Sequence, residues 1–241
     1  MTSIQTSTYQ ERLAETLPRV RERIERAGEA AGRPSGSVRL VAVTKSHPLE
    51  AVRAAIDAGL TDLAENRVAE LNAKVEAFGK EAATWHMIGH IQSRKAPRVV
   101  AIAELVHSVD SPRLGEKLSR AAVDQGTVLD VLAQVNTSGE ASKGGFELDG
   151  AVEEIHAMAE LAGLRVRGLM TMAPFVDDEV VLGDAFAALR RLLDRLTVST
   201  DRIGSELSMG MTNDLEIAIR EGSTMVRIGT ALFGQREGSA Q

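Results

Sequence analysis

The 241-residue chain sets 28 Lys+Arg against 34 Asp+Glu, a formal charge of −6 with its five histidines neutral. At 44% hydrophobic and 26% charged residues it has the composition of a globular protein able to bury a full core. The acidic balance, with no Lys/Arg block, speaks against nucleic acid or an anionic membrane as main partner, and zero cysteines exclude disulfides, thiolate metal sites and cysteine nucleophiles.

No stretch approaches the roughly 20 apolar residues of a membrane span. The opening residues lack the basic-then-apolar pattern of a secretory signal, so the cytoplasm is the expected compartment. Leu13, Leu17, Val20 and Ile24 recur at helical spacing and predict an N-terminal helix. Pro18 inside that pattern is expected to bend the helix or set its first turn.

After the punctuation at Gly32-Arg-Pro-Ser-Gly36, short apolar runs alternate with amphipathic stretches. The runs read as strands are 38–45, 61–66, 85–90, 105–110, 128–136, 166–172, 206–211 and 225–233. Helix-like segments between them include 49–58, 112–123, 153–162 and the stretch with Phe186, Leu189, Leu193 and Leu196. Such alternation implies right-handed βαβ units and a parallel sheet. Eight units in about 250 residues is the size of a TIM (β/α)8 barrel, with a doubly wound open sheet as the competitor. The last strand leaves no room for a second domain, so one domain over 1–241 is expected.

In a parallel barrel the site lies at the C-terminal ends of the strands. Lys45 ends the first run; drawn into a partly desolvated mouth, its amine becomes a Schiff-base nucleophile, and otherwise it is a solvated strand-end lysine. Ser208-Met-Gly-Met-Thr-Asn-Asp214 opens a loop in which Thr212 or Asn213 caps a helix carrying Asp214 and Glu216 in its first turn. Val226-Arg-Ile-Gly-Thr230 supplies Gly229 for close backbone approach and the Thr230 hydroxyl. Loops after strands seven and eight of a barrel commonly cradle phosphate; each of these also reads as an ordinary connection or a barrel bend.

His86 and His90, read on one strand face, are rim or core histidines with no carboxylate at metal-ligand spacing. Gly-x-Ser-x-Gly is absent, and the glycine-rich stretch 136–145 lacks a P-loop ending; it is expected to be a long loop over the mouth.

The motifs Val41-Ala-Val-Thr-Lys45, Glu65-Asn66, Trp85-His-Met-Ile-Gly-His-Ile-Gln-Ser93 and Val135-Asn136 follow one another along the chain. After them come Ser142-Lys-Gly144, Gly168-Leu-Met-Thr171, Ser208-Met-Gly-Met211 and Val226-Arg-Ile-Gly229. In this order they resemble the YggS/PROSC-type pyridoxal phosphate homeostasis proteins, from the first helix to Phe233. Ala64 and Arg67 depart from the glycine and tyrosine often seen there.

The resemblance implies a single fold-type III barrel, like the N-terminal domain of alanine racemase, holding pyridoxal 5'-phosphate (PLP) as a covalent aldimine on Lys45. By the same resemblance Arg227 faces the pyridine nitrogen, and Ser208, Gly229 and Thr230 form the phosphate cradle. Met209 and Gly210 line that loop, and Asn66 sits at the rim near the cofactor. It further implies a protein that buffers PLP or delivers it to PLP-dependent apo-enzymes; a monomer is expected, because the domain that completes the racemase dimer is missing.

An arginine at the ring nitrogen has donors only, so the ring stays unprotonated and a weak electron sink. Decarboxylation and transamination then recede. Racemisation needs two bases, and the only tyrosine, Tyr9, precedes the barrel; His86 or His90 is the substitute to consider. A non-catalytic PLP-binding protein is the expectation, with a fold-type III racemase as the alternative.

Overall fold

The computed structural model describes residues 2–140 and 144–235. The chain begins with α1 (Thr2–Ala30), which buries Leu13, Leu17, Val20 and Ile24 at the expected spacing. The helix continues through Pro18 in its interior, so this proline does not set the first turn.

Eight parallel strands follow: β1 (Arg39–Val43), β2 (Asp62–Glu65), β3 (Thr84–Met87), β4 (Leu105–Val109) and β5 (Leu129–Asn136), then β7 (Leu164–Met170), β8 (Ile203–Ser208) and β9 (Met225–Ile228). The two-residue β6 (Phe146–Glu147) precedes β7 and pairs with the end of β5 outside the ring. Two pairings decide the architecture. β1 joins β9 through Arg39↔Met225 to Ala42↔Ile228, and β4 joins β5 through Leu105↔Asp130 and Val106↔Val131. The sheet therefore closes into a (β/α)8 barrel, and the open doubly wound alternative is excluded.

Around the ring lie α2 (Leu49–Asp57), α3 (Val68–Phe78), α4 (Ala96–Ile102) and α5 (Pro112–Asp124). They are followed by α6 (Ala151–Ala159), α7 (Glu179–Ser199), α8 (Leu215–Arg220) and α9 (Thr230–Phe233). Strand parity divides the apolar residues into two layers. Ala42, Leu63, Trp85, Val106, Val131 and Val226 point outward into the large core shared with the helices. Their neighbours Val41, Val43, Ala64, Leu105, Leu132, Met170 and Met225 form a separate cluster inside the barrel. That small apolar cluster leaves room for inward-facing polar side chains, and the site is built from them.

Six of the eight strands are shorter than their apolar runs, while β7 and β8 keep the expected length but begin and end two and three residues earlier than read. The run 225–233 is a strand only as far as Ile228; Gly229 leaves extended geometry (φ −115°, ψ −74°), and Thr230–Phe233 turns into α9. Leu232 and Phe233 are wholly buried there, so burial made a helix look like more strand. The N-terminal helix clasps this end of the chain: Arg12 donates to the Phe233 carbonyl at 2.6 Å, and Thr16 to that of Leu232 at 2.9 Å.

Candidate functional site

The mouth of the barrel gathers the ends of β1, β2, β7, β8 and β9. Lys45 follows β1 and is partly buried; it lies two residues beyond Val43, in phase with the inward-facing positions. Ser46 next to it turns the chain at φ 61°, rare for a residue with a side chain, and its N–H donates to Glu70 at 2.9 Å. Asn66 stands in the equivalent phase after β2, and its Oδ1 is buried without a hydrogen-bond partner among the described residues. Arg227, on β9, is buried inside the barrel. Its Nη1 donates to the Ser208 carbonyl and hydroxyl, both at 2.7 Å, and its Nη2 to the Thr171 carbonyl at 2.9 Å. Nε–H and the second Nη2–H have no acceptor among the described residues. Burial pulls the guanidinium down to about 10, with Asp214 opposing, so it stays cationic at neutral pH.

The loop after β8 is held by its backbone. Gly210 adopts φ +94° and its carbonyl accepts from Arg227 N at 3.0 Å. A Cβ there would come within 2.6 Å of that of Ala218, so only glycine lets the loop lie against α8. Met209 is wholly buried. Gly229 passes close to β1, where an added Cβ would sit 3.2 Å from the Val43 carbonyl, and Thr230 after it is exposed. The donor set is thus an amine, an amide, a guanidinium with spare N–H groups and glycine loops. It complements an acceptor-rich anion, and an aromatic phosphate such as PLP fits it.

Comparison with known proteins agrees in kind. Residues 16–237 match the family of the alanine racemase N-terminal domain. The chain is 43% identical to the pyridoxal phosphate homeostasis protein of Pseudomonas aeruginosa, covering 93% of this chain and 96% of that one. It is 39% identical to the protein of that name from Aquifex aeolicus, covering 92% and 98%. The chain belongs to the pyridoxal phosphate homeostasis protein family. The structure of PipY from Synechococcus elongatus with PLP bound is 34% identical and covers 88% of this chain and 100% of its own, with a TM-score of 0.78.

Within this family frame the barrel brings the eight expected residues to one end: Lys45, Asn66, Ser208, Met209, Gly210, Arg227, Gly229 and Thr230 all lie at or just beyond the C-terminal ends of strands. The Ser208 hydroxyl is turned inside, bonded to Arg227 and, at 2.8 Å, to His107 Nδ1. Ser142 and Lys143 lie outside the described residues. On either side of residues 141–143, Asn136 Nδ2 donates to the Glu140 carbonyl at 3.2 Å and Gln134 Nε2 to the Gly144 carbonyl at 2.6 Å.

Two readings need correction. His86 and His90 do not share a strand face, because β3 ends at Met87. His86 is buried in the barrel, whereas His90 lies beyond the strand and contacts Asp110 at 3.2 Å, its side chain 74% exposed. The cap of α8 is neither Thr212 nor Asn213 but Asp214, whose carboxylate accepts from Met211 N.

Two buried groups escape a reading of the sequence alone. One is His107, inward on β4. The other is Lys74 of α3, which bonds Glu65 at 2.5 Å and the carbonyl of Thr44, the residue before Lys45, at 2.8 Å. A histidine amid the apolar run Leu105-Val-His-Ser-Val109 was the available signal for the first; the second is an ordinary-looking lysine on an amphipathic helix.

Proposed function

We propose that this protein holds PLP covalently through the Lys45 amine and serves intracellular PLP homeostasis by buffering the cofactor or delivering it to apo-enzymes. The observation that carries the reading is the buried Arg227 on β9, pinned by Ser208 and Thr171 with N–H groups to spare, inside the barrel whose neighbouring β1 and β2 lead to Lys45 and Asn66. The cofactor, when bound, supplies an aldehyde that captures primary amines and a conjugated ring that accepts electrons. Arg227 offers that ring's nitrogen donors only, which favours holding the ring and withholds the protonation that carbanion chemistry leans on. Gly229, Thr230 and the 208–210 loop are the candidates for the phosphate, with Asn66 at the rim.

A non-catalytic role is supported by how the other proton carriers are engaged. Tyr9 bonds His47 at 3.1 Å, His90 faces Asp110, and His86 is tied to Asp62 and His107 inside the barrel. Among the described residues Lys45 therefore has no tyrosine or histidine set opposite it as the second base of a racemase. We further propose a monomer working in the cytoplasm; among the described residues no helix is long and apolar enough to cross a membrane.

The test is α-proton exchange. PLP-loaded protein incubated with L-alanine or L-serine in deuterated water should show no catalytic exchange or racemisation. Multiple turnovers of α-deuterium incorporation would make it an enzyme.

A further inference from the structure

A chain of hydrogen bonds crosses the barrel from its N-terminal face to Arg227. Asp62 Oδ1 lies 3.1 Å from His86 Nε2, His86 Nδ1 2.9 Å from His107 Nε2, and His107 Nδ1 2.8 Å from Ser208 Oγ. Ser208 Oγ in turn accepts from Arg227 Nη1. The links come from β2, β3, β4, β8 and β9, so five of the eight strands contribute to one polar column. Its far end borders a recess of about 210 Å³ lined by Arg39, Thr84, His86, Glu104, Asp130 and Arg167.

The chemistry of the two ends constrains the direction of the links between them. Asp62 is held below its ordinary carboxyl value: burial raises it, but the hydrogen bond and charge of His86, with Thr61 and Arg39, outweigh that. An ionised carboxylate only accepts, so His86 Nε2 carries a proton and donates. Burial, with the electrostatic effect of His86, Arg227 and Arg39, pushes His107 well below the usual imidazole value, so it is neutral. A neutral ring has one donor and one acceptor, and Ser208 already accepts from Arg227. The assignment that runs in one direction along the column has His107 Nε2–H donating to His86 Nδ1 and the Ser208 hydroxyl donating to His107 Nδ1. Every donor points away from Arg227 toward Asp62.

We propose that Asp62, His86 and His107 are positioning residues: the carboxylate at the N-terminal face locks both histidine tautomers, and through Ser208 this lock sets Arg227 for its ligand at the mouth. The inference rests on the reading that the mouth holds PLP. A flipped His107 would point a second donor at Ser208 Oγ and turn its hydroxyl proton away, loosening the seat of the guanidinium. The effect acts across the barrel, with no contact between Asp62 and Arg227 required.

Two measurements test it. The first uses the protein without added PLP: long-range ¹H–¹⁵N correlation of the histidine side chains should show Nε2–H, with bare Nδ1, for both His86 and His107. An Nδ1–H tautomer at His107 overturns the proposal, whatever the mouth binds. The second compares Asp62→Ala with Asp62→Asn by PLP titration and by the pH profile of the bound cofactor's visible band. Asp62→Ala should mix the tautomers, displace the band's pH profile and weaken PLP about tenfold, the worth of an ordinary hydrogen bond. Asp62→Asn, whose amide oxygen still accepts, should restore all three. Mixed tautomers with unchanged affinity and pH profile, or a folded Asp62→Asn that restores nothing, contradict the lock. If Asp62→Ala fails to fold, the wild-type tautomers decide alone; if the wild type binds no PLP, the reading of the mouth fails and the tautomer result still stands.

Discussion

Two buried polar clusters flank the mouth, and they solve the problem of burial differently. Inside the barrel, the column from Asp62 to Arg227 links a carboxylate to a guanidinium through two imidazole rings and a hydroxyl, so both charges are spread along partnered groups. Outside it, between β2 and α3, Lys74 and Thr44 both converge on Glu65 Oε1, leaving Oε2 buried without a partner. Burial raises the Glu65 carboxyl, and Lys74 and Thr44 offset this only in part. The column depends on direction; the outer cluster depends on a single ion pair directly beneath the Lys45 turn.

The sharpest way to break the contrast is Lys74→Ala. It strands Glu65 and the Thr44 carbonyl, and removing one partner of a buried pair costs about 3–5 kcal/mol. Chemical denaturation should show that loss, and Lys74→Ala/Glu65→Leu should recover a good part of it. A cost under about 1 kcal/mol would show the pair to be effectively solvated.

Ser208→Ala comes next. It deprives His107 Nδ1 and one Arg227 N–H of a partner, at a cost of about 1–3 kcal/mol. Because the Ser208 carbonyl still holds Nη1, the fold should survive with weaker PLP binding. Unfolding curves and a PLP titration check the two parts separately.

Of the two histidines the sequence singled out, His86 belongs to the column and His90 does not. Lys45 was readable because it closes an apolar run at a barrel mouth, whereas Ser208 and Arg227 fall inside the runs 206–211 and 225–233 and their roles came through the family resemblance. Closure was legible only through the count of eight units and the family resemblance, since the β4–β5 pairing that joins the two halves of the sheet leaves no local mark on either strand. His107 was hidden for the same reason: its partners Ser208 and His86 lie 101 and 21 residues away. The misplacement of His90 came from letting an apolar run set the strand's length, and the reading of 225–233 failed likewise, because a buried α9 is as apolar as a strand.

Acid should expose the same contrast. Folded His107 stays neutral far below its ordinary value of 6.5, while in the unfolded chain it takes up a proton there. The unfolded state then binds more protons, so stability falls as pH drops below about 6.5, by at most about 1.4 kcal/mol per pH unit for this site. Asp62, lowered in the fold, adds a further loss below the carboxyl range. Glu65 works in the opposite sense: its raised carboxyl favours the fold as pH falls through its folded value. Thermal unfolding between pH 7.5 and 5.5 should show the decline, and a folded His107→Gln should flatten it.

The smallest effect belongs to the surface. Arg23 and Glu216 join α1 to α8 at 2.7 Å, but both are well exposed, so Arg23→Ala should cost no more than about 1 kcal/mol and fade in high salt.

The most direct test of the central claim is borohydride reduction of the PLP-loaded protein followed by peptide mapping. The account predicts a yellow protein that bleaches on reduction and carries a pyridoxyl group on Lys45, with Lys45→Ala folded and unlabelled. Label on another lysine, or a colourless protein that added PLP does not change, would contradict it.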